Sequence, residues 1–285
     1  MPAQAGTACS SNEEIMPDQT SFATCHANVG KARVHSASRT GSRDCATAQC
    51  AKCTLHPICV PEPEDAEETP RLDFNVGTTR DVKRGQTLFH FGDAFKSVYA
   101  VKTGSFKRVI TQLDGREYVT GFSLAGEVMG FDAVAESKHN CTSIALEDSR
   151  VCIMPFSLLE EMCRQTPAMQ HHLHRTMSYE IVRDAWLMTL LGTMTVDERL
   201  SAFLISLSKR YAQRGYSATA FNLTMSRGEI ASLLGMKLET VCRALTRLRE
   251  ADLVTTTGRL IQIVDLPALE AHSVDRKVVR PVIHH

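Results

Sequence analysis

The chain changes its repeat once, near Ser157, and that change limits the folds open to it. Before it, from about residue 72 to 156, apolar residues come in short alternating runs such as SVYAVKTGSFKRVITQLDGREYVTGF, broken by Gly85, Gly92, Gly104, Gly115, Gly121, Gly126 and Gly130. Alternation sends successive side chains to opposite faces of a strand, and close-set glycines supply tight turns. This half therefore reads as short antiparallel strands in a sandwich or roll. Asp114-Gly115, between two such runs, is a hairpin signal. After Ser157 the period is helical. Thr166-Pro167 suits an N-cap and first helical position, and no breaker follows until about Gly192.

Within that long helix His174, Met177, Ile181, Asp184, Met188 and Leu191 recur at alternating spacings of three and four. That spacing is the seam of a two-stranded coiled coil, so a homodimer is expected. Asp184 is out of place in such a seam. Two carboxylates facing each other across a dimer axis cost free energy unless one is protonated or each finds a partner. We expect Asp184 to keep the dimer weak, so that assembly depends on a signal.

Beyond the helix, Thr195 with Glu198 forms a capping box opening a helix that ends by Gly215, and Ser226 with Glu229 forms another. The run SRGEIASLLGMKLETVCRALTRLREADLV predicts a short helix, a tight turn at Gly235 and a second helix from about Leu238 to Glu250. Ile230, Leu233, Leu234, Val241, Leu245 and Leu248 form their shared core, the helix-turn-helix arrangement. VTTTGRLIQIV then reads as a two-stranded wing turning near Thr257-Gly258. Glu239, Cys242 and Arg243 fall near the start of the second helix, clear of its apolar stripe, where a recognition helix touches base edges. Arg243 can bond bidentately to guanine O6 and N7, and Glu239 can accept from cytosine N4. Arg247 and Arg249 are placed to meet phosphates. Net charge is zero over the whole chain, but residues 195–285 hold 13 Lys and Arg against 9 Asp and Glu, which leaves the last third net +4 and the rest −4. Such an asymmetry points towards a nucleic-acid face.

No stretch approaches the roughly 18 uninterrupted apolar residues of a membrane span, and MPAQAGTACSSNEE lacks the pattern of a secretory signal, so a cytoplasmic location is expected. In that reducing compartment the ten cysteines are expected to be metal ligands, redox thiols or buried apolar residues rather than disulfides. Cys50-x2-Cys53-x5-Cys59, followed at Pro61 by a proline, is a close thiolate group of the iron-sulfur kind. With Cys45 it would serve equally well as a four-cysteine zinc site. Residues 1–44 are rich in Ser, Thr, Ala and Gly and are expected to be a disordered tail. An acidic, proline-containing connector, Pro61 to Asp65, follows the cysteines. The expected division is a tail over 1–44, a cysteine-rich segment over 45–62, a β-rich sensor over 63–165, a dimerisation helix over 166–194 and a DNA-binding domain over 195–285. No nucleophile-base pair, phosphate loop or helical His-Glu zinc motif is present, so catalysis is not expected. His171, His172 and His174 read as surface or seam residues.

Taken together these residues resemble the FNR (fumarate and nitrate reduction regulator) subgroup of the CRP/FNR superfamily. The resemblance runs over roughly residues 50 to 270, in stretches such as KRGQTLF, GFSLAGEVMGFDA, ERLSAFLISLSKRYAQRG and LTMSRGEI. It implies an α+β architecture: an antiparallel β-roll (jelly-roll-like) sensor domain, a long dimerisation helix and a C-terminal winged helix-turn-helix. It further implies an oxygen-labile [4Fe-4S] cluster on Cys50, Cys53 and Cys59, with Cys152 in RVCIMPF as a distant fourth ligand, Cys141 as its rival and Cys45 outside the set. The implied function is oxygen-responsive transcription regulation. Without oxygen the cluster favours the dimer, which binds double-stranded DNA at palindromes with TTGAT-like half-sites and contacts RNA polymerase; oxygen damages the cluster and releases the DNA.

Two departures bear on the DNA preference. Cys242 stands where the family commonly has Ser, and Lys237 replaces a hydroxyl residue ahead of the recognition helix, a cap worth about 1 kcal/mol. The nearest rival is a cyclic-nucleotide-responsive regulator of the CRP branch, which uses a Glu and an Arg for ribose and phosphate. Here Phe131 follows Gly130 and Cys141 falls where the Arg belongs, and a buried phosphate without a cation is poorly compensated. A zinc-stabilised DNA-binding or interaction protein without oxygen sensing is a further alternative, which metal analysis distinguishes.

Overall fold

The computed structural model describes residues 47–48 and 77–273. These belong to one compact unit, Ser42–His285. The expected tail, and with it Cys50, Cys53 and Cys59, lies outside the described residues.

The alternating half folds as nine strands among the described residues: β1 (Thr47–Ala48), β2 (Gly77–Val82), β3 (Thr87–Phe89), β4 (Ser97–Thr103), β5 (Ser105–Thr111), β6 (Glu117–Leu124), β7 (Val128–Met129), β8 (Thr142–Ala145) and β9 (Ser149–Pro155). They pair antiparallel in two sheets, ordered β1-β2-β9-β4-β7 and β3-β8-β5-β6. Side chains of period two from both sheets, including Val82, Phe89, Val101, Phe106, Met129 and Val151, fill the space between them. The Asp114-Gly115 turn joins β5 to β6 as expected, with Gln112 N–H donating to Arg116 O at 2.9 Å.

Helices follow without interruption: α1 (Phe156–Gln165), α2 (Pro167–Thr193) and α3 (Val196–Ala212). Pro167 opens α2 at a position where its missing N–H costs nothing. The Thr195/Glu198 box opens α3, the Glu198 carboxylate accepting from Thr195 N–H at 2.6 Å. The remaining elements are β10 (Ala220–Asn222), α4 (Arg227–Leu233), α5 (Leu238–Glu250), β11 (Val254–Thr257), β12 (Leu260–Ile263) and α6 (Leu266–His272). The expected two-stranded wing is corrected to three strands, because β10 pairs with the far edge of β12. The closing helix α6, capped by Asp265, is a further element that the residue pattern did not announce.

The C-terminal part does not hang free from the roll. Phe122 of β6 packs on Phe203 of α3 with ring centroids 6.2 Å apart, and Leu124, Val119 and Leu146 join the core that holds Leu204, Leu234 and Leu248. Polar contacts fix the same interface: Val119 N–H donates to Ser232 Oγ at 2.9 Å, and Lys107 pairs with Glu229 at 2.8 Å.

The β4–β5 corner turns on Gly104, whose φ of +83° suits glycine and where a Cβ would stand 2.1 Å from Ser149 Oγ. Gly104→Ala is therefore expected to lose at least about 1 kcal/mol from left-handed strain alone. Thermal unfolding checks this; an unchanged Tm would contradict the turn.

Candidate functional site

The sequence points to three sites, the recognition helix, the seam of α2 and the thiolates, and the fold positions each differently. On α5, Val241, Ala244, Leu245 and Leu248 are buried against the domain core, which leaves Glu239 and Arg243 exposed and Cys242 half-buried near the helix start. Lys237 occupies the N-cap without a side-chain cap bond, as expected. Arg227, at the first position of α4 and not singled out by the sequence, donates toward Cys242 Sγ at 3.7 Å, so this thiol and this guanidinium share one face with the recognition residues. Arg247 departs from expectation in one respect. Its guanidinium grips Asp197 at the start of α3, with Nε to Oδ2 at 2.8 Å, so its charge already has a partner in the free chain.

The seam residues of α2 fall on one face, and two of them are left bare: Ile181 is 69% and Met188 68% exposed. Met177 is half-buried. Leu191 differs from the others. Its side chain lies over Gly235 in the helix-turn-helix and packs against the DNA-domain core, because the last turn of α2 already touches that domain. Arg199 secures this junction by donating to the carbonyls of Leu191 at 2.7 Å and Met194 at 2.8 Å. Asp184 is 54% exposed and has a partner within its own chain, Arg108 Nη2 at 3.8 Å.

Of the cysteines named from sequence as cluster ligands or as the rival fourth ligand, Cys141 and Cys152 are described and both are buried. They differ in chemistry. Cys141 points into the roll core and donates toward Asp132 Oδ2 at 3.6 Å. Burial, reinforced by the Asp132 charge, pushes its thiol up to about 12, which keeps it protonated in the metal-free chain. Cys152 lies on β9 between Thr79 of β2 and Ala100 of β4, 5% exposed. Its neighbours Val151 and Ile153 face the roll core, so alternation turns Cys152 and Met154 to the other side of the sheet. Met154 meets Leu159 and Met162 of α1 and Met169 of α2 there. Cys152 thus occupies the sheet face on which the long helix begins. No group of three or more His, Cys, Asp or Glu that could hold a metal lies among the described residues.

The positions a cyclic nucleotide would need are apolar. Phe131 packs beside Val98, Met154 and Leu159, and Cys141 is in the roll core, so neither supplies a carboxylate or a cation.

A β-roll joined through a long helix to a winged helix-turn-helix defines the CRP-type class of DNA-binding transcription regulators. The Crp-like helix-turn-helix domain family matches residues 198–272, and the cyclic nucleotide-binding domain family matches residues 79–166. The transcriptional activator protein Anr of Pseudomonas protegens is 40% identical over 231 residues, 80% of this chain and 95% of that protein. The fumarate and nitrate reduction regulatory protein of Salmonella typhimurium is 38% identical over 222 residues, 78% of this chain and 89% of that one. Among solved structures, FixK2 from Bradyrhizobium japonicum superposes with a TM-score of 0.65 at 27% identity, covering 70% of this chain and 98% of FixK2. This chain belongs to the FNR subgroup of the CRP/FNR superfamily of transcription regulators.

The elevated Cys141 thiol has a direct consequence. At pH 8 the folded chain is expected to alkylate at Cys141 at least ~100-fold more slowly than the urea-unfolded chain, because so little thiolate forms. Mass spectrometry of the Cys141 peptide measures this; equal rates would contradict the assignment.

Proposed function

We propose that the chain is an oxygen-responsive regulator that binds DNA as a dimer in the absence of oxygen, with Cys50, Cys53, Cys59 and Cys152 as ligands of a [4Fe-4S] cluster. The relatives named for fumarate and nitrate reduction, and the anaerobic regulatory protein of Haemophilus influenzae at 36% identity over 220 residues, support this reading. The observation that carries it is the register of β1. Thr47 pairs with Thr78, and Thr78 with Ile153, so β1 runs two strands from the residue next to Cys152, roughly 10 Å away at ordinary strand spacing. Cys50, two residues further along the sequence, lies outside the described residues. Cys141, by contrast, is turned into the core on the other sheet face.

Thiolates are the ligands iron-sulfur clusters use, and a buried sulfur facing away from the roll core fits that donor set. When bound, the cluster supplies an oxygen-labile link between the N-terminal cysteines and the roll. The chain's own residues supply the rest. Cys152 anchors the link on the sheet face from which α2 departs. Ile181 and Met188, with Met177 and Asp184, form the seam between two copies, where the paired apolar stripes cover each other, whereas Leu191 packs on the helix-turn-helix of its own chain. Glu239, Cys242 and Arg243 read base edges. Arg247, half-neutralised by Asp197, adds a weaker phosphate contact. The corresponding division is 45–62 for the cluster segment, 63–165 for the sensor, 166–194 for the dimer helix and 195–285 for DNA binding. Palindromic TTGAT-like half-sites, contact with RNA polymerase, a cytoplasmic setting and the lack of an enzymatic role complete the proposal.

Iron and acid-labile sulfide assays on anaerobically purified protein test it. Cys50→Ala, Cys53→Ala, Cys59→Ala and Cys152→Ala are each expected to abolish cluster loading, whereas Cys141→Ala retains it. Full loading in Cys152→Ala, or zinc without iron in the parent protein, would refute the ligand set. Arg243→Ala is expected to keep the cluster and to lose about 1–3 kcal/mol of base discrimination in competition binding against mutated half-sites. Asp184→Ala is expected to raise the dimer fraction of the cluster-free protein in sedimentation; an unchanged fraction would remove Asp184 from the seam.

A further inference from the structure

A line of alternating charge runs from the seam face of α2 into the DNA-binding domain. Asp184 Oδ1 lies 3.8 Å from Arg108 Nη2, and Arg108 Nη1 lies 3.3 Å from Glu180 Oε2. Glu180 Oε1 pairs with Arg183, whose Nη1 reaches Glu127 Oε2 at 3.3 Å. Glu127 then receives Arg210 of α3 through Nε at 2.8 Å and Nη2 at 2.7 Å, and Arg214 just beyond α3 through Nη2 at 3.0 Å.

Glu127 is the pivot of this line. It sits at the end of the β6–β7 turn, 8% exposed, and its carboxylate also accepts from Leu124 N–H at 3.0 Å. Burial acts to raise its pKa, but the fields of Arg210 and Arg183 and the Arg210 hydrogen bond prevail and hold the carboxyl well below the usual range. One oxygen is shared by a residue of the long helix and a residue of the DNA-binding domain, since Arg183 and Arg210 both contact Oε2. Arg210 also donates to Phe122 O at 2.7 Å, which fixes α3 to the strand that carries the turn. A buried carboxylate among three guanidinium groups has few alternative arrangements, because withdrawing one partner leaves the rest imperfectly neutralised in a medium of low dielectric.

We propose that Glu127 is the positioning residue that ties the dimer helix to the DNA-binding domain, so that the state of the seam at Asp184, passed on through Arg108, Glu180 and Arg183, governs how α5 is presented to DNA through Arg210 and Arg214. The proposal rests on the dimer and DNA-binding reading above and adds to it the residue through which the two communicate. A contiguous chain of contacts is not by itself a coupling; a coupling is a free energy, and it is reciprocal. If dimerisation improves operator binding, operator must tighten the dimer by the same factor.

The experiment measures the dimer dissociation constant of the full chain, prepared without oxygen, by sedimentation with and without a duplex bearing two TTGAT-like half-sites. In the parent protein the duplex is expected to tighten the dimer. In Glu127→Gln that tightening is expected to fall by about tenfold or more, while the DNA-free dimer and the iron content stay close to the parent values, and Glu127→Asp restores part of the lost factor. A change that merely loosened the fold would weaken the DNA-free dimer as well. Arg183→Gln severs the link from the helix side and leaves Glu127 with Arg210 and Arg214, so it decides the matter should Glu127→Gln not fold. Parent-like tightening in a folded Glu127→Gln or in Arg183→Gln, or loss of the DNA-free dimer to the same extent as the operator complex, overturns the proposal. A parent protein that neither dimerises nor binds the duplex would instead overturn the functional reading on which it rests.

Discussion

The carboxylate of Glu127 is buried where three parts of the chain converge, and it is held there by guanidinium groups from two of them. Removing the carboxylate would leave guanidinium groups partly buried without their shared counter-charge, and breaking a buried pair in this way costs about 3–5 kcal/mol. That penalty restricts the relative positions that the roll, the long helix and α3 can take. Apolar packing of Phe122 on Phe203 makes the interface adhesive, but apolar contact is tolerant of sliding. The charged cluster supplies the geometry that the apolar contact lacks, and the Lys107–Glu229 pair at the other end of the interface acts in the same sense.

In the proposed function, sensing and reading are thus mounted on opposite ends of one body. Cys152 sits on the sheet face where α2 begins, and the last turn of α2 rests on the helix-turn-helix through Leu191 and Arg199. The helix between carries bare apolar residues, Ile181 and Met188, which a second chain would cover in the proposed dimer. Asp184 moderates that stripe. Its interaction with Arg108 lessens the expected repulsion across the axis without removing it, since the carboxylate remains half exposed. In the proposed dimer a seam of this kind would be marginal and would respond to small changes at either end.

Features set by near neighbours are legible in the order of the amino acids alone. The capping boxes Thr195/Glu198 and Ser226/Glu229, the Asp114-Gly115 hairpin and the boundaries of α5 depend on residues a few positions apart, where spacing carries the information. Features set by distant partners are not. Glu127 reads as an ordinary acidic residue beside Gly126, and nothing local marks its three arginines, the nearest of which is 56 positions away. Arg247 looks like a phosphate ligand, yet Asp197, 50 positions off, holds it. The strand β10 escapes notice because a three-residue run acquires its identity only by pairing with β12. Family resemblance favours Cys152 over Cys141; in the fold Cys152 lies on the face of β9 turned away from the roll core, and Cys141 lies within that core.

Oxygen, in this account, reaches DNA binding through the state of the seam. The most direct test uses one sample prepared without oxygen, following operator affinity by fluorescence anisotropy and mass by sedimentation before and after admission of air. The expected result is a loss of affinity of about tenfold or more together with conversion of dimer to monomer. A chain that stays dimeric and holds the duplex equally well in air would contradict it.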